Sequence, residues 1–572
     1  MGILTHTFIA LSCAACLATS SAFQSTPVMG WNSYNLMACS PHDQGLRATI
    51  NALADRGFVK AGYNLFQVDC GWASRDGQRN ATTGALKVNP DWFPNGLEPL
   101  SDLARSKGMQ WAMYSDAGAR MCDTQVPGPV LGSLGYEAVD ADFFKMLNTT
   151  YLKCMAASMG SDKYVSANLN ADDNCYADGP DSNQSSPKDP RTDFVSRFTT
   201  MWNELQRVGI SGMLVCQWGV PFSTSNGLQG PAQWTKGLST SFRLSDDIAK
   251  GWGNVYRIYN QAIHVARSGV ISPGNTADAD LLEVGNDGMT FDEQASHFAA
   301  WAMLKSALMI STNISALSDV TIAVLQNKDL IAINQDPAVK PIRLVQRWTG
   351  NRDLWAGDLA NGDLAVFCMD LSNARRTLTI QLSELGLASA TIKDLWTGKT
   401  MSNTGSYSKQ INGHGSLALR LSNIRRACTS PPKYTYVSVA TGYLSSGASL
   451  QPCSGCTSSH KVGNLGGSSG GKVVLSNIRT SKASQTVKVD YVNGEVGYLG
   501  GSNNERLASI RVNGGPGQTV SFPLSGYNWD KDVCKGYAVV LSGFNTEKPN
   551  TIDISGVGIA WAPDFDRVGL VA

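Results

Sequence analysis

Tyr63-Asn64-Leu65-Phe66-Gln67-Val68-Asp69 is a short strand-like run that stops on a carboxylate. Gln110-Trp111-Ala112-Met113-Tyr114-Ser115-Asp116 repeats the pattern, and the intervening Pro94 to Lys107 is mostly helical. Working outward, Val28 to Ser33 is an earlier strand end and Leu46 to Ala61 a helix. Downstream come a strand at Tyr151-Leu152-Lys153, a helix over Asp193 to Arg207 and a strand over Gly212 to Trp218. Ser241 to Ser245 leads into Asp246-Asp247, Gly253 to Arg267 is helical, a seventh strand precedes Asp278 to Glu283, and Ala307 to Ser311 is the eighth. Eight such units in about 310 residues predict an α/β fold, a (β/α)8 TIM barrel over residues 23–337. Barrels of this kind carry their sites on the loops at the C-terminal strand ends. Strand ends are often polar, which explains one Asp there. It does not explain Asp69, Asp116, Asp173, Asp247 and Asp280 at five of them.

From residue 338 to 424 the periodicity changes to two, as in Leu354 to Leu359, Asp363 to Phe367, Arg376 to Ile380 and Ser416 to Arg420, which predicts an antiparallel β-sandwich. Residues 425–433 are basic, contain Pro and read as a linker. Residues 434–572 are rich in Gly and Ser with short alternating strands, the pattern of a C-terminal β jelly-roll module.

The 572 residues carry a net charge of +1, so no electrostatic attraction to nucleic acid or an anionic membrane is expected. Phe8 to Ala18 is apolar and too short to span a bilayer, and Ser20 and Ala22 suit cleavage. Residues 1–22 therefore read as a signal peptide, and the mature protein is expected to be secreted. Asn80, Asn148, Asn183 and Asn313 begin glycosylation sequons, in keeping with that compartment. Of thirteen cysteines, Cys13 and Cys16 fall in the leader, and the odd remainder leaves at least one thiol unpaired within the chain. No metal is expected in the barrel domain: Cys453 and Cys456 have C-x-x-C spacing, but no second pair accompanies them and His460 does not complete a site.

Seven motifs lie at the strand ends: Met29-Gly30-Trp31-Asn32-Ser33-Tyr34, Val68-Asp69-Cys70-Gly71-Trp72, Tyr114-Ser115-Asp116-Ala117-Gly118, Asp172-Asp173-Asn174-Cys175, Cys216-Gln217-Trp218-Gly219, Arg243-Leu244-Ser245-Asp246-Asp247-Ile248 and Asp280-Leu281-Leu282-Glu283-Val284-Gly285-Asn286. In content and order they resemble the family 27 glycoside hydrolases, the α-galactosidases or melibiases. The resemblance implies retaining hydrolysis of terminal α-D-galactosyl residues from galacto-oligosaccharides, galactomannans or galactolipids, with no cofactor. By position Asp173 matches the nucleophile and Asp247 the acid/base, the two carboxyls that retention requires. Trp31 would offer a flat wall to the sugar, and Asp69 would take the 4- and 6-hydroxyls. Tyr114 and Lys153 would hold further hydroxyls, Arg243 would reach the 2-hydroxyl, Cys216 and Trp218 would line the pocket, and Asp280 would be the last site carboxylate. The same match implies disulfides Cys39–Cys70 and Cys122–Cys175. Asp246 reads only as a neighbour of Asp247, and Glu283 as support for a strand or loop.

In the C-terminal block, Gly463 to Gly467, Val489 to Asn493, Arg511 to Gly514, Asn550 to Ile552 and Pro563 to Val568 are similar in order to carbohydrate-binding modules of families 6 and 35. That similarity allows a structural calcium with Asp566 as a ligand, and a role in holding the enzyme near galactose-containing polysaccharide. The oligomeric state is left open.

The chain departs from the family pattern where Cys70 and Gly71 follow Asp69 in place of a second adjacent Asp, where Leu147-Asn148-Thr149 replaces the Trp-Gly of many members, and above all at an insertion after Lys153. Without the eighteen residues Cys154 to Ala171, Tyr151-Leu152-Lys153 would run directly into Asp172-Asp173-Asn174-Cys175. In the uninterrupted pattern the nucleophile stands two residues after the Lys, where this chain has Met155. The expectation is a retained in-frame intron, with a genuine surface loop as the alternative. Three other activities stay open: α-N-acetylgalactosaminidase, β-L-arabinopyranosidase, and non-catalytic sugar binding if the insertion displaces Asp173.

Overall fold

The computed structural model describes residues 25–118, 120–121, 130–156, 190–217, 220–223, 230–348, 352–428 and 432–571. The leader, Cys122, Asp173, Cys175, Asn183 and Trp218 lie outside these residues.

Eight strands form one parallel sheet: β1 Met29–Asn32, β2 Leu65–Gln67, β3 Gln110–Asp116, β4 Thr149–Ala156, β5 Gly212–Gln217, β6 Ser241–Arg243, β7 Thr276–Asp278 and β8 Leu308–Ile310. Each of β1 to β6 pairs with the next, and β8 pairs with β1 with Met29 opposite Leu308. Leu282, just past β7, bridges in parallel to Ile310 and donates its N–H to Met309 O at 2.8 Å, which closes the barrel. The helices between strands include Glu137–Met146 and Phe291–Met303, neither of which the sequence reading names. Phe291–Met303 starts on a capping box between Thr290 and Glu293, which satisfies two amides that the first turn leaves open.

Strand alternation sorts the side chains into two faces. Trp31, Phe66 and Trp111 are aligned across β1, β2 and β3, and their rings stack at 5.0 Å and 5.8 Å. Asn32 and Gln67, one residue further along, take the other face. β4 runs three residues beyond Lys153, with Met155 opposite Asp116 on one side and Cys216 on the other.

A six-stranded antiparallel sheet runs from Arg343 to Arg426 beside a two-stranded pair, Arg376–Gln381 with Ser406–Ile411. Its last strand, Ser416–Arg426, takes the first two residues of the expected linker. The C-terminal unit is two antiparallel sheets of short strands, with Val489, Tyr491, Ile510, Phe522, Tyr537 and Phe565 in the core between them. Cys453 and Cys456 form a disulfide there, so their spacing serves a covalent turn. Asp566 is buried; Oδ2 accepts from Thr457 N at 3.0 Å, and Oδ1 has no hydrogen-bond partner. Calcium takes six or more oxygens. Among the described residues no group of three His, Cys, Asp or Glu could hold a metal, so Asp566 would need backbone oxygens to complete a shell.

The C-terminal unit rests against the barrel helix Trp252–Ser268. That helix presents Arg257, Asn260 and Gln261, a polar stripe of the kind that usually faces water. All three are buried, because residues 497–527 of the C-terminal unit cover them.

Candidate active site

The strand ends carry two clusters of charge. On the β1 to β4 side, Asp69 lies two residues beyond β2 and is buried. Its Oδ2 accepts from Asn32 Nδ2 at 2.7 Å and from Lys153 Nζ at 2.9 Å, and its Oδ1 accepts from Cys70 N at 2.9 Å. Burial by itself would raise this carboxyl's pKa. The Lys153 charge and the hydrogen bonds outweigh burial and hold it below the usual range. Lys153 is pushed upward: burial opposes its charge, but Asp69, Cys216 and Asp280 together more than offset that. The Cys39–Cys70 disulfide, with Cα atoms 4.7 Å apart, ties the loop after β1 to the loop after β2.

On the β5 to β7 side, Arg243 is the hub. Its Nη2 donates to Asp247 Oδ1 at 2.9 Å and to Asp280 Oδ2 at 2.8 Å, and its Nη1 donates to Cys216 Sγ at 3.3 Å. Asp280 also accepts from Ile248 N at 2.7 Å and Leu281 N at 2.8 Å. It adopts φ 73°, a left-handed conformation that costs a non-Gly residue energy and recurs where a site fixes the backbone. Asp278, two residues earlier, accepts from Asp280 N at 2.8 Å. Burial lifts its pKa to about 6, with Arg243 opposing and Asp280 adding. Burial also pushes the Cys216 thiol up to about 12 although Arg243 and Lys153 pull it down. The Asp247 side chain is 35% exposed while Arg243 is 1% exposed, so Asp247 is the acid of this cluster that opens to solvent.

Tyr34 faces both clusters. Lys153 Nζ lies 6.0 Å from its ring centre. Burial, then Asp247 and Asp69, raise its pKa to about 12. Tyr34 therefore corrects the expectation for Trp31. Trp31 is fully buried, stacks on Phe66 and donates Nε1–H to Thr312 O at 3.0 Å, so it offers no wall to a ligand. The cause is strand alternation, which puts Trp31 on the face opposite Asn32 and Asp69. Tyr114 is also buried, with its ring 5.7 Å from Lys153 Nζ, and packs beside the cation.

Asp69, Lys153, Cys216, Arg243, Asp247 and Asp280 thus gather at one barrel mouth. Asn32, Tyr34 and Asp278 join them. The signals for these three were present: Asn32 and Tyr34 stand in the first quoted motif, and Asp278 shares a strand face with Asp280 by period two. Glu283 accepts from Asn35 Nδ2 at 2.5 Å and Asn286 Nδ2 at 2.6 Å, bracing loops as expected. Asn80, Asn148 and Asn313 are exposed. A separate cavity of about 410 Å³ is lined by Phe291, Asp292, Trp396 and Gln410, and by none of the strand-end cluster.

A closed (β/α)8 barrel with carboxylates and cations gathered at its C-terminal mouth is the architecture of a glycoside-hydrolase barrel. The chain belongs to the α-galactosidase (melibiase) family: the family model described as alpha galactosidase A matches residues 26–175 and 172–336, and that of the alpha galactosidase C-terminal beta sandwich domain matches 349–421. The two barrel matches overlap at Asp172 to Cys175, the far border of the insertion. A probable α-galactosidase D of Aspergillus niger is 34% identical over 70% of this chain and 56% of its own length. The α-galactosidase D of Emericella nidulans is 31% identical over 69% of this chain and 56% of its own. The chain thus spans little more than half the length of these curated relatives. Among solved structures, α-galactosidase I from Mortierella vinacea covers 72% of this chain and 100% of its own, at 26% identity and a TM-score of 0.60. The α-galactosidase from Saccharomyces cerevisiae with raffinose covers 69% of this chain and 97% of its own, at 25% identity and a TM-score of 0.57.

Proposed function

We propose that the protein is a secreted, retaining α-galactosidase acting on terminal α-D-galactosyl groups of galacto-oligosaccharides, galactomannans or galactolipids. The observation that carries this reading is the Arg243-centred cluster, in which Asp247 is held at 2.9 Å yet open to solvent, opposite the enclosed Asp69–Lys153 pair. In the proposed reaction Asp173 attacks the anomeric carbon and forms a glycosyl ester. The glycosidic C–O bond breaks as Asp247 gives its proton to the leaving oxygen. Asp247 then takes a proton from water, which attacks the same carbon, releasing galactose and freeing Asp173. Asp69 and Lys153 would bind sugar hydroxyls, and Tyr34 would supply the aromatic wall. The Cys39–Cys70 bridge supports an oxidising, extracytoplasmic compartment.

The insertion bears on this reading through β4, where Met155 occupies the position two residues past Lys153. Residues 154–171 are proposed to be a retained in-frame intron. The test is hydrolysis of p-nitrophenyl α-D-galactopyranoside by the chain as written and by the form lacking Cys154 to Ala171. Turnover by the shortened form, at least about 100-fold above the chain as written, is expected, since misplacement by about an ångström costs that much. Equal turnover would make the segment a tolerated loop. A folded shortened form that cleaves no α-galactoside would sink the galactosidase reading.

A further inference from the structure

Asp246 is the point from which the inference grows. It is fully buried beside the exposed Asp247. Arg257 Nη1 donates to its Oδ1, and the backbone N–H of Leu499, from the C-terminal unit, donates to its Oδ2 at 2.6 Å. Arg257 has two further tasks: Nη2 donates to the backbone carbonyl of Asp247 at 2.8 Å, and Nη1 donates to Gly497 O at 3.2 Å. The guanidinium therefore ties the main chain of Asp247 to the loop at 497–499. The loop is itself pinned. Gly497 N donates to Asn504 Oδ1 at 2.5 Å, and Asn504 Nδ2 donates to Arg257 O at 3.0 Å. Asn504 holds a left-handed φ of 58° to do so. A side chain at position 497 would meet Ser502 O at 2.0 Å, so the turn has no slack.

A second contact reaches the loop after β5. Val220 and Phe222 form an apolar cluster with Leu524 and Tyr527 of the C-terminal unit, and the rings of Phe222 and Tyr527 stack at 5.9 Å. Around these contacts Asn260 Nδ2 donates to Asn503 O at 2.8 Å, and Gln261 Nε2 donates to Tyr527 OH at 2.9 Å. Buried polar groups that take part of their hydrogen bonds from the other unit make a fixed joint, since undocking would leave those donors and acceptors unmatched.

We infer that the C-terminal unit is a structural part of the catalytic site, and that its 497–504 turn positions the acid/base carboxylate of Asp247 through Arg257. The inference rests on the hydrolase reading above for its catalytic half; the docking itself does not. Arg257, Asn504 and Leu499 are positioning residues in this scheme, because each acts through another group: Arg257 on the main chain of Asp247, Leu499 on Asp246 and Asn504 on the turn. An acid that is slightly misaligned hurts a poor leaving group, which needs the proton, far more than a good one, which does not.

Two measurements test this. The first is hydrogen exchange on the full chain as written, read at the Leu499 amide. Protection of at least about 100-fold relative to an open loop is expected for a buried bond to a carboxylate. Exchange at the open-loop rate would overturn the docking whatever the activity. The second compares Asn504→Gly, which keeps the left-handed backbone and removes the amide, with Arg257→Lys, which keeps the charge and loses the second prong. Both go into whichever chain form turns over. With melibiose, whose leaving group is an alcohol, kcat/KM, which reports the step that forms the glycosyl ester, is expected to fall at least about tenfold. With p-nitrophenyl α-galactoside the fall stays under about threefold. Equal losses on the two substrates in folded variants would overturn the positioning role. A parent chain that cleaves neither substrate would instead count against the hydrolase reading.

Discussion

Asp69 and Asp247 stand on opposite sides of one barrel mouth, and their surroundings come from different distances along the chain. Asp69 is held by Asn32, 37 residues away, and by Lys153, 84 residues away, both within the barrel. Asp247 is held by Arg243 four residues away, and through Arg257 and Asp246 by Leu499, 253 residues from Asp246. The first side is an enclosed ion pair braced by Asn32 and the Cys70 amide. The second is an open acid whose backbone is clamped from outside the barrel. On the proposed mechanism, a group that only binds is locked by its own domain, whereas a group that gives and takes a proton stays accessible and borrows its rigidity from elsewhere.

The contrast can be broken or sharpened by experiment. Asp247→Ala should have the largest effect, a loss of about 10² to 10⁴ in kcat/KM on melibiose with little change in thermal stability, because an open acid contributes to rate and not to folding. A large drop in Tm would erase the distinction between the two sides. Lys153→Met should do the reverse and destabilise the fold by about 3–5 kcal/mol, since it strands Asp69 as a buried unpaired charge; chemical denaturation measures it. Replacing Cys39 and Cys70 by Ser should cost about 3–4 kcal/mol, as expected for a bridge closing a loop of this length, with the loss confined to stability if the bridge serves only the Asp69 side.

The smallest effect is a pH dependence of opposite sign on the two sides. Asp69 has a depressed pKa, so its stabilisation is present above the unfolded carboxylate pKa and is lost as pH falls through the folded value. Asp278 has a raised pKa, so the protonated form is favoured in the fold and stability is lost as pH rises from its ordinary value of 3.8 to about 6. Asp278→Asn should therefore gain on the parent over that window, by up to about 3 kcal/mol at its upper end. A stability difference that is flat with pH would remove Asp278 from the buried acids.

Much of the first side was legible in the sequence. The runs ending at Asp69 and Asp116 predicted β2 and β3, and the match to Lys153 supplied the cation on β4. Period two then decided a detail that motif reading alone misassigned, since Trp31 and Tyr34 sit three residues apart and only Tyr34 faces the charges. The second side was legible only in part. Arg243, Asp247 and Asp280 follow from strand ends, but Asp246 read as a bystander because one of its partners is a distant backbone amide and the other is an Arg on a helix face that looks solvent-facing. Backbone amides carry no residue signature, and Arg257, Asn260 and Gln261 look like any solvent-facing stripe. Long-range burial of a polar helix face has no local pattern from which to infer it.

The joint at Asp246 also bears on how such a chain can change by recombination. Units strung on flexible linkers can be exchanged between genes, because each keeps its own surface intact. Here an exchange at the junction after Arg426 would strip one of two partners from a buried carboxylate and uncover Arg257, Asn260 and Gln261 at once. The barrel and its last unit are therefore constrained to be inherited together, and substitutions in the 497–504 turn should track those in the Trp252–Ser268 helix more closely than those elsewhere in its own sandwich.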